Sequence, residues 1–332
     1  MLRKTVQAMK IVNGYTHDEE QYTQLIRDIL TEGSWEDGRN GWTKCVFGSA
    51  MHFSLADNVL PLLTTKKVAW KTCLKELLWF IRGQTNNQLL QEQNVHIWDG
   101  NAAAHAHAAA AHEADADANA DAKANANANA NADAMAKANA SAGNDLGPIY
   151  GHQWRHFNAP YTHCNADYSG AGIDQLGDVI SQLKNPATRS SRRLVVSAWN
   201  PCQLQEMALP PCHILMQFNV TGGDKLSCSM YQRSGDVGLG VPFNIASYAF
   251  LVHLIAHHCG LVAHEFLYYL GNCHIYDDHV EALKTQCQRT PLPFPTVCIR
   301  GAPKALLDDY TIDDFVVENY LAHDMIKMNM RP

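Results

Sequence analysis

Ala208-Leu209-Pro210-Pro211-Cys212-His213 leads directly into the apolar stretch Ile214–Val220. Each proline ring fixes φ, so the backbone is stiff just before the cysteine, and a run of strand length follows at once. The pattern predicts a thiol presented at the edge of a sheet. A second strand candidate, Leu226–Tyr231, comes next, and Tyr231-Gln232-Arg233-Ser234-Gly235-Asp236 then supplies a cation, a hydroxyl and a carboxylate within one strand-turn-strand distance of Cys212. A guanidinium beside a thiol favours the thiolate and can also grip a phosphate bidentately.

Gly238-Leu239-Gly240-Val241-Pro242-Phe243-Asn244 reads as a flexible turn ending in a carboxamide. That group can both donate to and accept from the edge of a pyrimidine. Taken singly, each feature has a bland reading: a cysteine after a turn is most often a buried structural thiol, and an asparagine before a helix is most often its N-cap. Their occurrence together within 33 residues, from Cys212 to Asn244, points to chemistry.

Outward from this core, Trp70–Phe80 carries apolar residues at helical spacing with Gly83 as a stop, and Glu76 lies within it. Leu194–Trp199 and Glu265–Gly271 are further strand candidates, while Ile245–Cys259 is apolar nearly all round and closes on Gly260, as a helix buried inside a domain would. Strands and helices mix without a regular strand-helix-strand beat. The expected fold class is α+β: a mixed β-sheet core with buried and flanking helices, in a single domain spanning 1–332.

Ala102–Ala142 interrupts this pattern with alanine at nearly every second position, alternating with Asp, Asn, His and Lys. Alanine favours helix, but a period of two spreads polar groups around the whole helical circumference and leaves no apolar stripe. The segment is expected to be a solvated, partly helical insertion. His105, His107, His112 and Glu113 have metal-ligand residue types, yet no rigid shell surrounds them in the sequence, and no metal is expected.

The chain of 332 residues is 46% hydrophobic with a formal net charge of −7, which is enough to bury a core and speaks against a general polyanion binder. Any phosphate must therefore be met by local arginines. Ten cysteines occur without a Cys-x-x-Cys pair, several in apolar segments, and read as reduced thiols. With no signal-peptide core in Met1–Asp18 and no uncharged apolar run of membrane length, a cytoplasmic or nuclear location is expected, with no membrane partner.

These stretches closely resemble thymidylate synthases over about Asp18–Asn101 and Asp145–Met330. Further matching stretches are Pro61-Leu62-Leu63-Thr64-Thr65-Lys66, Glu76-Leu77-Leu78-Trp79-Phe80-Ile81-Arg82-Gly83, Ile97-Trp98-Asp99, Asp145-Leu146-Gly147-Pro148-Ile149-Tyr150-Gly151, Arg192-Arg193, His274-Ile275-Tyr276 and Ile326-Lys327-Met328. Such a resemblance implies the family fold, a homodimer, and methylation of dUMP at C5 with 5,10-methylenetetrahydrofolate as co-substrate, yielding dTMP and dihydrofolate. It implies that Cys212 is the nucleophile and that Glu76, Tyr150, Asn244, Arg233 and Asp236 serve the chemistry. On dUMP it places Arg39, Arg192, Arg193, His213, Gln232, Arg233, Ser234, Asp236, Asn244, His274 and Tyr276, with Arg192 and Arg193 reaching across from a second subunit. On folate it places Trp98, Asn101, Asp236, Gly240 and Met330.

The sequence departs from the family pattern in three places. Arg39-Asn40-Gly41-Trp42-Thr43-Lys44 stands where Arg-Thr-Gly-x-Gly-Thr is usual, Arg189–Arg193 is longer than Asp-x-Arg-Arg, and Gly271-Asn272-Cys273 replaces Gly-Asp-x. Two other functions fit parts of the pattern. A pyrimidine nucleotide hydroxymethylase, acting on dUMP in the form that fits, would use the same thiol and folate but finish with water; its cytidylate form carries Asp where Asn244 stands, whereas the uridylate form keeps Asn. An RNA-binding protein on the same fold would not need Glu76, Tyr150, Cys212, Arg233 and Asn244 together, and the acidic charge opposes it.

Overall fold

A computed structural model describes residues 16–38, 40–118 and 143–331, with the backbone alone for 109–118. Arg39 and residues 119–142 of the insertion lie outside the described residues. The chain divides into two compact units: Met1–Leu74 with Ile180–Val195 and Cys212–Arg331, and Lys75–Val179 with Val196–Pro211.

A six-stranded sheet runs in the order β1-β2-β6-β5-β4-β3, all of it in the first unit except Val196 and Ser197 of β3. Its strands are β1 (Ser34–Gly38), β2 (Gly41–Ser54), β3 (Val195–Ser197), β4 (His213–Thr221), β5 (Lys225–Asp236) and β6 (Val262–Tyr276). β5 and β6 run parallel, whereas β1–β2, β2–β6 and β4–β5 are antiparallel, so the sheet is mixed. Parallel β5 and β6 need a crossover, and the helix Gly240–Cys259 supplies it.

Register separates the two faces of the sheet. Met216, Met230, Tyr268 and Met51 stand opposite one another across four strands and are all buried. The neighbouring row, Leu215, Tyr231, Tyr269 and Ala50, lies on the other face, where Leu215 is 38% and Tyr269 41% exposed. Alternation of side chains along a strand makes these two rows the two faces of one surface.

Helix α1 (Glu20–Glu32) buries Tyr22, Leu25, Ile26 and Ile29, one helical stripe, and Gln21 clasps the backbone N–H and C=O of His52 on β2. Its neighbour Glu19 is fully buried, but each carboxylate oxygen accepts both a backbone N–H and a hydroxyl from Thr64 or Thr65. A small sheet of β7 (Thr296–Ile299) and β8 (Phe315–Glu318) completes this unit.

In chain order the remaining helices are α2 (Trp70–Ile81), α3 (Gln88–Gln91), α4 (Asp99–Ala118), α5 (Tyr150–Arg155), α6 (Gln175–Lys184), α7 (Gly240–Cys259) and α8 (Val280–Gln286). α7 is long and apolar enough to cross a membrane, yet 83% of the window concerned is buried inside the protein. It begins several residues before Ile245, the start expected from the sequence, because Pro242 sits in its first turn, where a missing N–H costs nothing. Asn244 is therefore inside the helix, not at its cap. The first part of the insertion is helical, as α4, and Ala102 packs in the interior at its first turn.

Candidate active site

Two clusters carry the residues singled out from the sequence, one in each unit. In the first, Pro210 and Pro211 deliver Cys212 to the start of β4, where the register against β5 is irregular between His213 and Leu215. The backbone N–H of Arg233 donates to Cys212 O at 2.9 Å, which fixes the two strand ends side by side. An Arg233 guanidinium nitrogen then lies 3.8 Å from Cys212 Sγ. A fixed positive group at that distance stabilises negative charge on the sulfur.

Beside this pair, the His213 Nε2 lies 2.9 Å from Asn244 Nδ2. Burial pushes the His213 imidazole down to about 3, so the ring is neutral and its Nε2 accepts the carboxamide N–H. The ring stands edge-on to Tyr248 of α7 at 5.5 Å between centroids. The second N–H of Asn244 and its Oδ1 remain as one donor and one acceptor for a partner that offers the complementary pair.

Farther along β5, Ser234, Gly235 and Asp236 pair with Asn272, Cys273 and His274 of β6. Asp236 bends back to accept the N–H groups of Gly238 and Leu239, so its carboxylate holds the turn into α7. That turn is held from other sides as well. Tyr22 donates to Val237 O, the buried Lys66 ammonium to Gly238 O, and Val237 N–H donates to His274 O. Burial pushes the Lys66 amine down to about 8, against the attraction of Asp236.

His274 and Tyr276 meet edge to face at 5.4 Å, and His274 Nδ1 lies 3.0 Å from Asn272 Oδ1; burial lowers the His274 pKa. Gln232 is buried and committed, accepting from Tyr268 and donating to Ser234 O. Arg192 and Arg193 are exposed, just before β3. Met330 is exposed near the end of a tail that Asn329 and Arg331 fasten to His279, Asp277 and Asp278.

In the second unit, Glu76 on α2 is buried and its Oε1 accepts the indole N–H of Trp98 at 2.7 Å. Burial pushes the carboxyl up to about 7, with the indole hydrogen bond pulling the other way. Phe80, Trp98 and Tyr150 form one aromatic cluster with centroids 4.9 to 6.4 Å apart, so Glu76, Trp98 and Tyr150 come together although 74 positions separate the first from the last. Asn101 is half-buried in the first turn of α4. Among the described residues no group of three His, Cys, Asp or Glu could hold a metal ion.

The first unit thus holds a thiol beside a guanidinium and a neutral imidazole–carboxamide pair, and the second a carboxyl poised near neutrality, residue types suited to nucleophilic and acid–base chemistry. A sequence model of the thymidylate synthase family matches residues 20–331. The chain belongs to the thymidylate synthase family. It is 44% identical over 317 residues to "Thymidylate synthase 1/2" of Encephalitozoon cuniculi, covering 95% of this chain and 97% of that protein. It is 46% identical over 315 residues to the bifunctional dihydrofolate reductase-thymidylate synthase of Paramecium tetraurelia, and 47% identical over 324 residues to a probable thymidylate synthase of Schizosaccharomyces pombe. Those matches span 61% and 47% of the two longer relatives.

Within the thymidylate synthase pattern, the sequence missed the groups that hold the site. Asn87 and Gln91 on Asp99, Tyr22 on Val237 and His279 on the tail are joined to it only through folding. Lys66 alone left a signal, as a charged residue closing the otherwise uncharged run from Pro61 to Thr65.

Proposed function

We propose that this chain catalyses the reductive methylation of dUMP at C5, taking the methylene group and the hydride from 5,10-methylenetetrahydrofolate and releasing dTMP and dihydrofolate. The observation that carries the reading is the placement of Arg233 3.8 Å from Cys212 Sγ with the His213–Asn244 pair beside it. Uracil C5 is a poor nucleophile until a group adds at C6, and a thiolate makes that addition. Cys212 forms the bond to C6, electron density moves toward O4 and C5, and C5 then attacks the methylene carbon of the folate. Asn244 donates to O4 and accepts from N3–H. Glu76, with its carboxyl near neutrality, relays protons at O4, and Tyr150 assists removal of the C5 proton. Hydride transfer from the folate frees the product, and Cys212 leaves C6.

Arg39, Arg192, Arg193, Arg233 and Ser234 take the phosphate, His274 and Tyr276 the ribose, and Gln232 and Asp236 support the strand end that carries them. Trp98, Asn101, Asp236, Gly240 and Met330 take the folate. A second copy of this chain completes the site with its Arg192 and Arg193. The row Leu215, Tyr231, Tyr269 and Ala50 on the open face of the sheet, half-buried at Tyr231 and exposed at the other three, supports that association, since such apolar surface gains by being covered. Ten free cysteines accord with a reducing compartment, cytosol or nucleus.

The test is product analysis with purified protein, dUMP and methylenetetrahydrofolate. Equimolar dTMP and dihydrofolate are expected. Tetrahydrofolate with a hydroxymethylated nucleotide would replace this reading by the hydroxymethylase, and failure to turn over either would remove the folate chemistry.

A further inference from the structure

The start of α4 is fastened in an unusual way. Asp99 Oδ1 accepts from Asn87 Nδ2 at 2.8 Å and from Gln91 Nε2 at 2.9 Å, while Oδ2 lies 2.9 Å from His96 Nδ1. Together these contacts lower the Asp99 pKa against its partial burial. An acidic residue in the first turn of a helix ordinarily complements the exposed N–H groups of that turn. Here both oxygens are engaged by side chains: Asn87 just before α3, Gln91 on it and His96 in the segment that follows. Asn87 is itself fully buried, and its backbone N–H donates to Asn144 O at 2.8 Å, so the anchor ties together the chain on both sides of the insertion.

The residue immediately before Asp99 is Trp98, whose carbonyl accepts the first α4 hydrogen bond, from Ala102 N–H. Its indole is packed edge to face against Phe80 and Tyr150 and reaches Glu76 at 2.7 Å. A tryptophan ring has few rotamers, so the position of its N–H is set by where the backbone is held. A shift of about 1 Å takes such a contact out of hydrogen-bond range.

We propose that Asp99 is a positioning residue for Glu76: by anchoring the start of α4 to Asn87 and Gln91 it keeps the indole N–H of Trp98 on the Glu76 carboxylate. The role of Glu76 in the reaction rests on the function proposed above, whereas the Asp99–Trp98–Glu76 linkage rests on contacts within one unit of the protein. The indole N–H bonds an ionised carboxylate more strongly than a neutral carboxyl, so losing the contact favours the protonated form.

The experiment is carboxyl carbon NMR on the full chain labelled at glutamate, titrated without substrates, with Glu76→Gln identifying the resonance. Trp98→Phe is expected to raise the Glu76 midpoint by about one to two pH units, the range for a hydrogen bond to a charged group. Asp99→Ala shifts it the same way by a smaller step. Asp99→Asn, which keeps an oxygen for Asn87 and Gln91, restores the wild-type midpoint. If Asp99→Ala does not fold, Gln91→Ala gives the same readout. A midpoint unmoved in Asp99→Ala and Gln91→Ala, with Trp98→Phe displaced, overturns the proposal. If the NMR midpoint moves as expected while the pH profile of kcat does not follow, the linkage stands and it is the catalytic assignment of Glu76 that fails.

Discussion

The indole N–H of Trp98 points at Oε1 of Glu76 across 2.7 Å inside an aromatic cluster. Burial raises the carboxyl to about 7 and this single donor offsets only part of that effect. The consequence for stability has a definite sign. Below the ordinary carboxylate value of 4.5, Glu76 is protonated folded or unfolded and costs nothing. As pH rises from 4.5 to about 7 the unfolded chain releases the proton and the native chain keeps it, so stability falls. The loss is on the order of 3 kcal/mol, complete above about pH 7. Glu76→Gln removes it, so the mutant is expected to gain stability relative to wild type between pH 5 and about pH 7.5 while losing turnover. Urea titrations at several pH values check the slope, and an equal slope in mutant and wild type contradicts the assignment.

The Cys212–Arg233 contact predicts where covalent chemistry occurs. Cys212→Ala is expected to abolish turnover and still bind dUMP, since the function proposed above assigns the phosphate and base contacts to other residues. A 5-fluoro analogue of dUMP, incubated with the folate, is expected to leave a mass increment on the peptide containing Cys212 in wild type alone. Half-buried Cys45, Cys164 and Cys287 and exposed Cys202 and Cys298 serve as internal controls. Adduct on any of these, with Cys212 unmodified, would place the nucleophile elsewhere.

Much of the first unit was legible because its chemistry is local in sequence. The two prolines before Cys212, the apolar β4, and the all-round apolar α7 each announce themselves within a dozen residues or so. β2 does not: of its 14 residues only Met51 and Phe53 are buried, so no alternation marks it, and its place beside β6 comes from pairing with residues more than two hundred positions away. α1 was within reach, since Tyr22, Leu25, Ile26 and Ile29 recur at helical spacing. The Glu76–Trp98 hydrogen bond and the Asp99 anchor were not, because each depends on where a backbone arrives and no spacing rule encodes that.

The insertion supplies a prediction of tolerance. Among the described side chains of the insertion only Ala102, in the first turn of α4, is buried, and the alternation of alanine with polar residues continues along the sequence without an apolar stripe. Replacing residues 109–142 by a short Gly-Ser linker is expected to change the melting temperature by no more than a few degrees, since loop-closure entropy varies slowly with length. The measurement is a thermal melt followed by circular dichroism. Loss of a cooperative transition would show that the segment contributes to the core.

In the function proposed above, base choice falls to Asn244 and its bond to His213. With Nε2 of a neutral His213 accepting one carboxamide N–H, Asn244 has one N–H for uracil O4 and Oδ1 for N3–H. Cytosine presents the reverse, a donor at N4 and an acceptor at N3. Each buried polar group left unpaired costs roughly 1 to 3 kcal/mol, about one to two orders of magnitude in selectivity. Asn244→Asp replaces the N–H facing His213 with an oxygen, so the imidazole must turn a proton toward it and its pKa rises from about 3. The mutant is expected to lose activity on dUMP and to gain affinity for dCMP through a protonated carboxyl that donates to N3 and accepts from N4. The ratio of kcat/KM for the two nucleotides, measured at matched pH in mutant and wild type, reads this directly. A ratio that stays constant while both substrates still turn over means that another group reads the base and that Asn244 serves chiefly to hold His213.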